Sequence, residues 1–360
     1  MSDNYDIAVF EGDGIGPEIM EPTISLLEKL SGKAESYSLT FNVLPAGAAY
    51  YAETGESLPQ DSLNGARAAD AILLSAMGLP SVRYPDGTEI SPQIELRKEM
   101  DLYAGVRPVT VLPGQASPIK IPNGQTIDFV LIRESTEGLF YSQGKGEVSE
   151  DEARETLVIS RKTSEKLFNF SFELARRRQK SQGTLGQVTC VDKANVFRAF
   201  AFFRDIFDKM AKGHSGIKTS HAYVDATALW MVQKPWTFDV LVTENMFGDI
   251  LSDLGAGIMG GLGLAPSADI GDGNAVFQPC HGSAPDIAGQ GIANPAAMIL
   301  SAAMMLDWLG HERGNSEMLN HAEILRKAVY DVVVEGTMLT RDLGGTATTS
   351  EFSNEVSNRL

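Results

Sequence analysis

Apolar runs alternate with stretches of helical periodicity along most of this chain. Five runs, Asp6–Phe10, Ala71–Ser75, Phe129–Arg133, Leu185–Val191 and Phe238–Thr243, are short, almost continuously apolar and bounded by turn residues. They read as buried strands. Between and after them, apolar positions recur at three- and four-residue intervals in Pro92–Met100, Lys162–Arg178, Ala194–Lys212, Pro295–Leu309 and Glu317–Glu335, which predicts helices packed by one face. Such alternation is the pattern of an α/β protein. The first strand runs into the glycine turn Gly12-Asp13-Gly14-Ile15-Gly16, with Pro17 at an expected first helical position. The three glycines approximate a dinucleotide-binding fingerprint, but the third comes one residue early. A tight strand-to-helix turn that needs positive φ accounts for them. Residues 138–155 are polar and punctuated by glycine, and read as a loop or protruding arm.

Composition narrows the function. At 360 residues, 43% hydrophobic and 21% charged, the chain has room for about two domains around a large core. A formal net charge of −17 argues against nucleic acid and anionic membrane as partners, since both select basic surfaces. Small anions need only a local basic pocket. Cys190 and Cys280 form neither a C-x-x-C pair nor a disulfide framework, so a reducing, cytoplasmic setting is expected and thiol redox catalysis is not. The acidic opening M-S-D-N-Y-D lacks a basic leader, and the apolar stretch near Ala296–Leu306 is too short to span a bilayer.

Four segments carry candidate chemistry. In F-G-D-I-L-S-D, Phe247–Asp253, a helix puts Asp249 and Asp253 on one face. Two carboxylates without a neighbouring cation in sequence are either solvated or hold a hard divalent ion such as Mg²⁺ or Mn²⁺. Arg97, Arg107 and Arg133 each suit a carboxylate ligand by their planar fork, although from spacing alone each reads first as a surface ion pair. Lys193 follows a strand and is either a solvated lysine or, with a lowered pKa, a proton acceptor. His281–Pro295, H-G-S-A-P-D-I-A-G-Q-G-I-A-N-P, is too shaped for a plain connector, and its Asp286 suits a nucleotide ribose.

Taken together, F-G-D-I-L-S-D-L, H-G-S-A-P-D-I-A-G and I-A-N-P-A-A-M-I-L-S-A-A-M-M-L, in that order, resemble the β-decarboxylating dehydrogenase family of isocitrate, homoisocitrate, 3-isopropylmalate and tartrate/D-malate enzymes. The likeness runs from Gly12 to the D-L-G-G-T-A-T-T string at Asp342. It implies the family's own two-domain α/β fold rather than a Rossmann fold. The large domain would comprise residues 1–102 with 258–360, and the small domain residues 103–257, with an arm at about 138–160 clasping a second subunit. A homodimer or dimer of dimers with shared active sites is implied. By matching position, Arg97, Arg107 and Arg133 hold the malate carboxylates, and Asp249 and Asp253 are metal ligands. Asp225 and Lys193 come from the partner, as metal ligand and proton acceptor. His281, Gly282, Ser283, Ala284, Asp286, Ile287 and Asn294 form the adenosine loop. Asp286-Ile287 is the pair expected for NAD, because a carboxylate repels a 2′-phosphate.

The resemblance implies oxidation of a 2-hydroxy di- or tricarboxylate with a divalent metal as Lewis acid, followed by loss of CO₂. Substrate choice rests on Ile90–Arg97, where Ser91 and Gln93 stand in place of the leucines of isopropylmalate enzymes. An amide against an isopropyl group is unfavourable, so an isocitrate- or homoisocitrate-like substrate is expected, with isopropylmalate, tartrate or D-malate as the alternatives. Rivals of other kinds are a non-catalytic regulatory subunit and a NAD-binding protein without metal. Two departures stand out. Phe140 occupies the position of the family's acid tyrosine, and Tyr141 replaces it only if a local bulge turns that ring inward. Gln278 stands where relatives usually carry glutamate.

Overall fold

The computed structural model describes residues 3–360. Twelve strands form in chain order: β1 (Asp3–Phe10), β2 (Tyr37–Val43), β3 (Ala71–Leu74), β4 (Ala104–Val111), β5 (Ile127–Glu134), β6 (Glu147–Val148), β7 (Ala153–Arg154), β8 (Gln187–Asp192), β9 (Lys218–Tyr223), β10 (Val240–Thr243), β11 (Pro266–Ile270) and β12 (Ala275–Pro279). Ten of them make one mixed sheet, ordered β2-β1-β3-β12-β11-β4-β5-β10-β8-β9. One half of that sheet is built from both ends of the chain and the other from its middle. They meet where β11 runs antiparallel to β4.

Both faces of the sheet are covered, so its inner strands are buried on alternating sides. Ile7 and Val9 of β1 enter the main core, while Ala8 and Phe10 enter a second cluster with Leu63, Ile72, Leu74 and Leu96. The helix Ala296–Arg313 is buried around most of its circumference, which explains its apolar sequence: it is a core helix. No described helix is long and apolar enough to cross a membrane.

All five expected strands and all five expected helices form, with shifted ends. The helix expected from Ala194 begins at Arg198, because the Asp192 carboxylate accepts the Ala194 N–H and closes a turn first. Strand β4 carries Pro108, which has no N–H for a ladder. The proline is tolerated because β11 pairs with β4 only through Ala104–Val106, leaving that edge open further along. The glycine turn behaves as a close-packing device. Gly12 (φ 77°) and Gly14 (φ 60°) are left-handed, and a side chain on either would strike the carbonyl of Ala76 or of Ser283. Ile15 donates its N–H to Ser283 O at 2.8 Å, so the turn supports the His281 loop. Beyond Gly138, a single 3-10 turn (Leu139–Ser142) and the small β6–β7 hairpin project from the main sheet.

Candidate active site

The register of the central strands assembles the site. Arg133 of β5 lies opposite Gly105 of β4, and Gly105 lies opposite Asp269 of β11. Opposed residues share a face, so Arg133, Gly105 and Asp269 form one row. Arg107 and Gln278 lie on the same face, further along β4 and β12. Gly105 keeps the row open: a Cβ there would sit 2.6 Å from Ser135 Oγ and 3.1 Å from Asp269 Oδ1.

Asp269 has no solvent exposure and anchors the arginines. Its carboxylate accepts from Arg97 Nε at 3.0 Å and from Ser135 Oγ at 3.1 Å, and it faces Arg107 at 3.7 Å. Burial alone pushes that carboxyl up, but Arg97, Arg107 and Arg133 together hold it below the ordinary range. Arg133 is gripped differently. Asn245 Oδ1 accepts from its Nε at 2.9 Å and from a terminal nitrogen at 2.8 Å, while Asn245 Nδ2 donates to Glu137 O. Burial, with Arg97 and Arg107 close by, lowers the Arg133 pKa to about 10, and the group stays cationic at neutral pH.

The helix Asn245–Met259 brings the two aspartates to this basin. Glu244 caps it, its carboxylate accepting the Phe247 and Met246 N–H groups. Gly248 lets the helix lie on Arg133, since a Cβ would come within 2.6 Å of Arg133 Cβ and Cγ. Asp249 therefore pairs with Arg133, a partner remote in sequence. Desolvation and the Asp249 charge raise the Asp253 pKa, against the opposing pull of Arg107 and Arg133, and a divalent cation would relieve the remaining repulsion. No three His, Cys, Asp or Glu side chains converge among the described residues. One chain thus offers two carboxylates toward a metal, and the set fits Mg²⁺ or Mn²⁺ only with a further ligand from outside it.

These groups line a cleft of about 240 Å³ with Leu74, Met77, Gln93, Ile94, Phe140, Cys280 and His281. Gln93 and Arg97 share a face of the helix Pro92–Glu99, and Gln93 Oε1 is buried without a hydrogen-bond partner. Ser91 is not brought into the lining; its hydroxyl accepts from Gln143 Nε2 at 3.4 Å. Tyr141 is also outside it. The residues fold as a 3-10 turn rather than a bulged strand, which directs Phe140 into the cleft, 5.1 Å from the Arg133 guanidinium. The Tyr141 ring is 44% exposed beneath Lys145 Nζ. Lys193 and Asp225 pair with each other at 2.7 Å, and neither lines the cleft.

His281 and Gly282 also line an adjoining pocket of about 480 Å³, with Ala284, Ile287, Asn294, Arg341 and Asp342 among its walls. His281 Nδ1 meets Gly282 O at 3.0 Å, the buried Nε2 has no partner, and burial lowers the imidazole pKa, so Nε2 is the hydrogen-bonding atom the ring leaves free. That fits a polar ligand such as a dinucleotide. Ser283 is buried under the turn, donating to Gly78 O, and Asp286 is exposed beside the pocket rather than in its lining. Asp269, Asn245, Arg341 and Asp342 are residues that pattern reading missed. Asp342 takes part through Asn294, whose Nδ2 donates to it at 2.9 Å. The D-L-G-G-T string was its only signal.

A family profile described as isocitrate/isopropylmalate dehydrogenase matches residues 6–356. The chain is 42% identical over 357 residues to the 3-isopropylmalate/3-methylmalate dehydrogenase of Methanocaldococcus jannaschii, covering 99% of each. It is 40% identical over 363 residues to the homoisocitrate dehydrogenase of the same organism, covering 98% of this chain and 97% of that one. Among solved structures, isocitrate dehydrogenase from Methylococcus capsulatus matches with a TM-score of 0.84 and 34% identity over 99% of both chains.

Proposed function

The chain belongs to the isocitrate/isopropylmalate dehydrogenase family, and from that premise we propose that it couples NAD⁺ reduction to oxidative decarboxylation of a 3-substituted malate whose substituent is polar. The observation that carries this is the shared cleft: three arginines around one buried carboxylate, facing Asp249 and Asp253 and opening through His281 into a second pocket.

In this reading Arg97, Arg107 and Arg133 hold the substrate carboxylates by charge-assisted hydrogen bonds. Arg97 spends Nε on Asp269, so its terminal nitrogens are available. Asp249, Asp253 and the partner subunit's Asp225 hold Mg²⁺ or Mn²⁺, which when bound supplies Lewis-acid polarisation. NAD lies along His281–Ile287 and Asn294, with the exposed Asp286 disfavouring a 2′-phosphate. Lys193, delivered across a subunit interface, takes the hydroxyl proton. The large domain is residues 1–102 with 258–360 and the small domain 103–257, in keeping with the two halves of the sheet. Self-association is supported by apolar side chains left on the surface beside these groups: Leu229 is 52% exposed and Ile250 62%.

Gln93 favours an isocitrate- or homoisocitrate-like substituent, because its amide oxygen has no partner holding it and the amide can turn to donate an N–H to a carboxylate, whereas hydrocarbon leaves the amide unsatisfied. A second reading, 3-isopropylmalate, is favoured by Leu74, Met77 and Ile94 in the same wall. The purified chain with Mn²⁺ should reduce NAD⁺ in preference to NADP⁺ with such a substrate and lose this activity in EDTA. EDTA-resistant turnover would exclude the metal, and an NADP⁺ preference would exclude the Asp286 assignment. Shared sites predict that mixing inactive Lys193→Ala and Asp249→Asn chains after reversible dissociation restores about a quarter of wild-type activity, as random pairing gives one intact site in half the dimers.

A further inference from the structure

We infer that Asp269 and Gln278 work as a carboxylate–amide pair that must carry a single negative charge, and that this pair sets the net charge of the arginine basin and hence its preference for polyanionic substrates. The inference rests on the reading above that the arginines take substrate carboxylates.

Gln278 is buried, and its Nε2 donates to Asp269 Oδ2 at 2.7 Å, the oxygen that also accepts Arg97 Nε. Its backbone is fixed as well, since its carbonyl accepts from Ser267 Oγ at 2.7 Å and from Ser301 Oγ at 2.9 Å. The side chain thus has little freedom to avoid Asp269. Two guanidinium groups, those of Arg97 and Arg107, pair with this one carboxylate, while the neighbouring Arg133 pairs with Asp249. A neutral amide at 278 completes the hydrogen bonding of Asp269 without cancelling more positive charge. A glutamate there would place two carboxylates at hydrogen-bond distance in a dry site. Either one holds a proton or the basin loses a unit of charge. With no carboxylate at either position, Arg97 and Arg107 would lack their buried counter-charge. Either position can supply it, since both side chains meet at the oxygen that Arg97 contacts.

Three variants test this: Asp269→Asn, Gln278→Glu and the exchanged pair Asp269→Asn/Gln278→Glu. The first readout is the melting temperature of the ligand-free protein at about pH 5 and about pH 8. In Gln278→Glu the introduced carboxyl, set beside Asp269, would have a raised folded-state pKa. The stability of that variant relative to wild type is therefore best at the acid end and falls as pH rises. Asp269→Asn is destabilised at both pH values, and the exchanged pair recovers stability without the added pH dependence. The second readout is calorimetric affinity for tricarballylate, a tricarboxylate that cannot be oxidised. Gln278→Glu should bind it about tenfold more weakly near neutral pH, and the exchanged pair should return to within about threefold of wild type. An exchanged pair no better than the single variants, or a Gln278→Glu deficit that does not vary with pH, overturns the inference. Wild-type protein that ignores tricarballylate would count against the basin as a substrate site, while the melting series would still decide whether the pair holds one charge.

Discussion

Gln93→Leu should turn the substrate preference toward 3-isopropylmalate. In the wild type the Gln93 amide oxygen is buried in the cleft without a partner, beside Ile94 and facing the cavity shared with Leu74 and Met77. An isopropyl group placed there gains about 2 kcal/mol from burying its three carbons against hydrocarbon. Pressing it onto the amide instead leaves a buried polar group unsatisfied, a penalty of about 1 kcal/mol. The leucine variant therefore improves transition-state binding of the isopropyl substrate by about 3 kcal/mol relative to a polar one, roughly a hundredfold in the ratio of kcat/KM values. The assay is initial-rate NADH formation with isocitrate and with 3-isopropylmalate, for both proteins at saturating NAD⁺ and Mn²⁺. A ratio unchanged within about threefold would show that Gln93 does not face the substituent. A wild type that already prefers isopropylmalate would refute the polar-substituent reading itself.

Further outcomes follow from the same geometry. Asn245→Ala removes both hydrogen bonds that orient Arg133, so KM for the hydroxy acid should rise about tenfold or more with the fold retained by circular dichroism. Tyr141→Phe should leave kcat within about twofold, since the hydroxyl is outside the cleft; a large loss would mean that the arm rearranges on binding. Asp239→Ala breaks a buried cluster with Arg178 Nε at 2.9 Å and the Gln187 N–H at 3.0 Å, and should lower unfolding free energy by about 3 kcal/mol in urea titrations. Burial raises the Glu134 pKa to about 7, despite hydrogen bonds from Thr136 and Glu137. Because the folded pKa lies above the unfolded one, ionisation at high pH opposes folding. Glu134→Gln should accordingly gain stability relative to wild type between about pH 5 and pH 8, by on the order of 2 kcal/mol in urea titrations at the two pH values. An unchanged difference would contradict the assignment.

Much of this site was legible in the sequence. Periodicity gave the strands that end at Arg133 and near Lys193, and it put Asp249 and Asp253 on one helical face. The spacing of Gly12, Gly14 and Gly16 separated the glycine turn from a true dinucleotide fingerprint. The anchors were not legible, for a physical reason. Asp269, Gly105 and Arg133 are one row across the sheet, but that row exists only through long-range strand register, and β11 and β12 are short segments whose polar residues interrupt the apolar pattern. Asn245 opens the helix that carries the two aspartates, and its role follows only from the long-range packing of that helix on Arg133 of β5. The placing of Tyr141 likewise depended on a 3-10 turn following Gly138, which alternation along a strand cannot foresee.

The proposed reaction of this cleft is oxidation and decarboxylation of a malate bearing a polar 3-substituent. The most direct test is parallel measurement of NADH and CO₂ with Mn²⁺ across isocitrate, homoisocitrate, 3-isopropylmalate, D-malate and tartrate. Isocitrate or homoisocitrate should lead the panel, with NADH and CO₂ formed in equal amounts despite Phe140. NADH without CO₂, the strongest rate on 3-isopropylmalate, or no turnover of any of the five would contradict it.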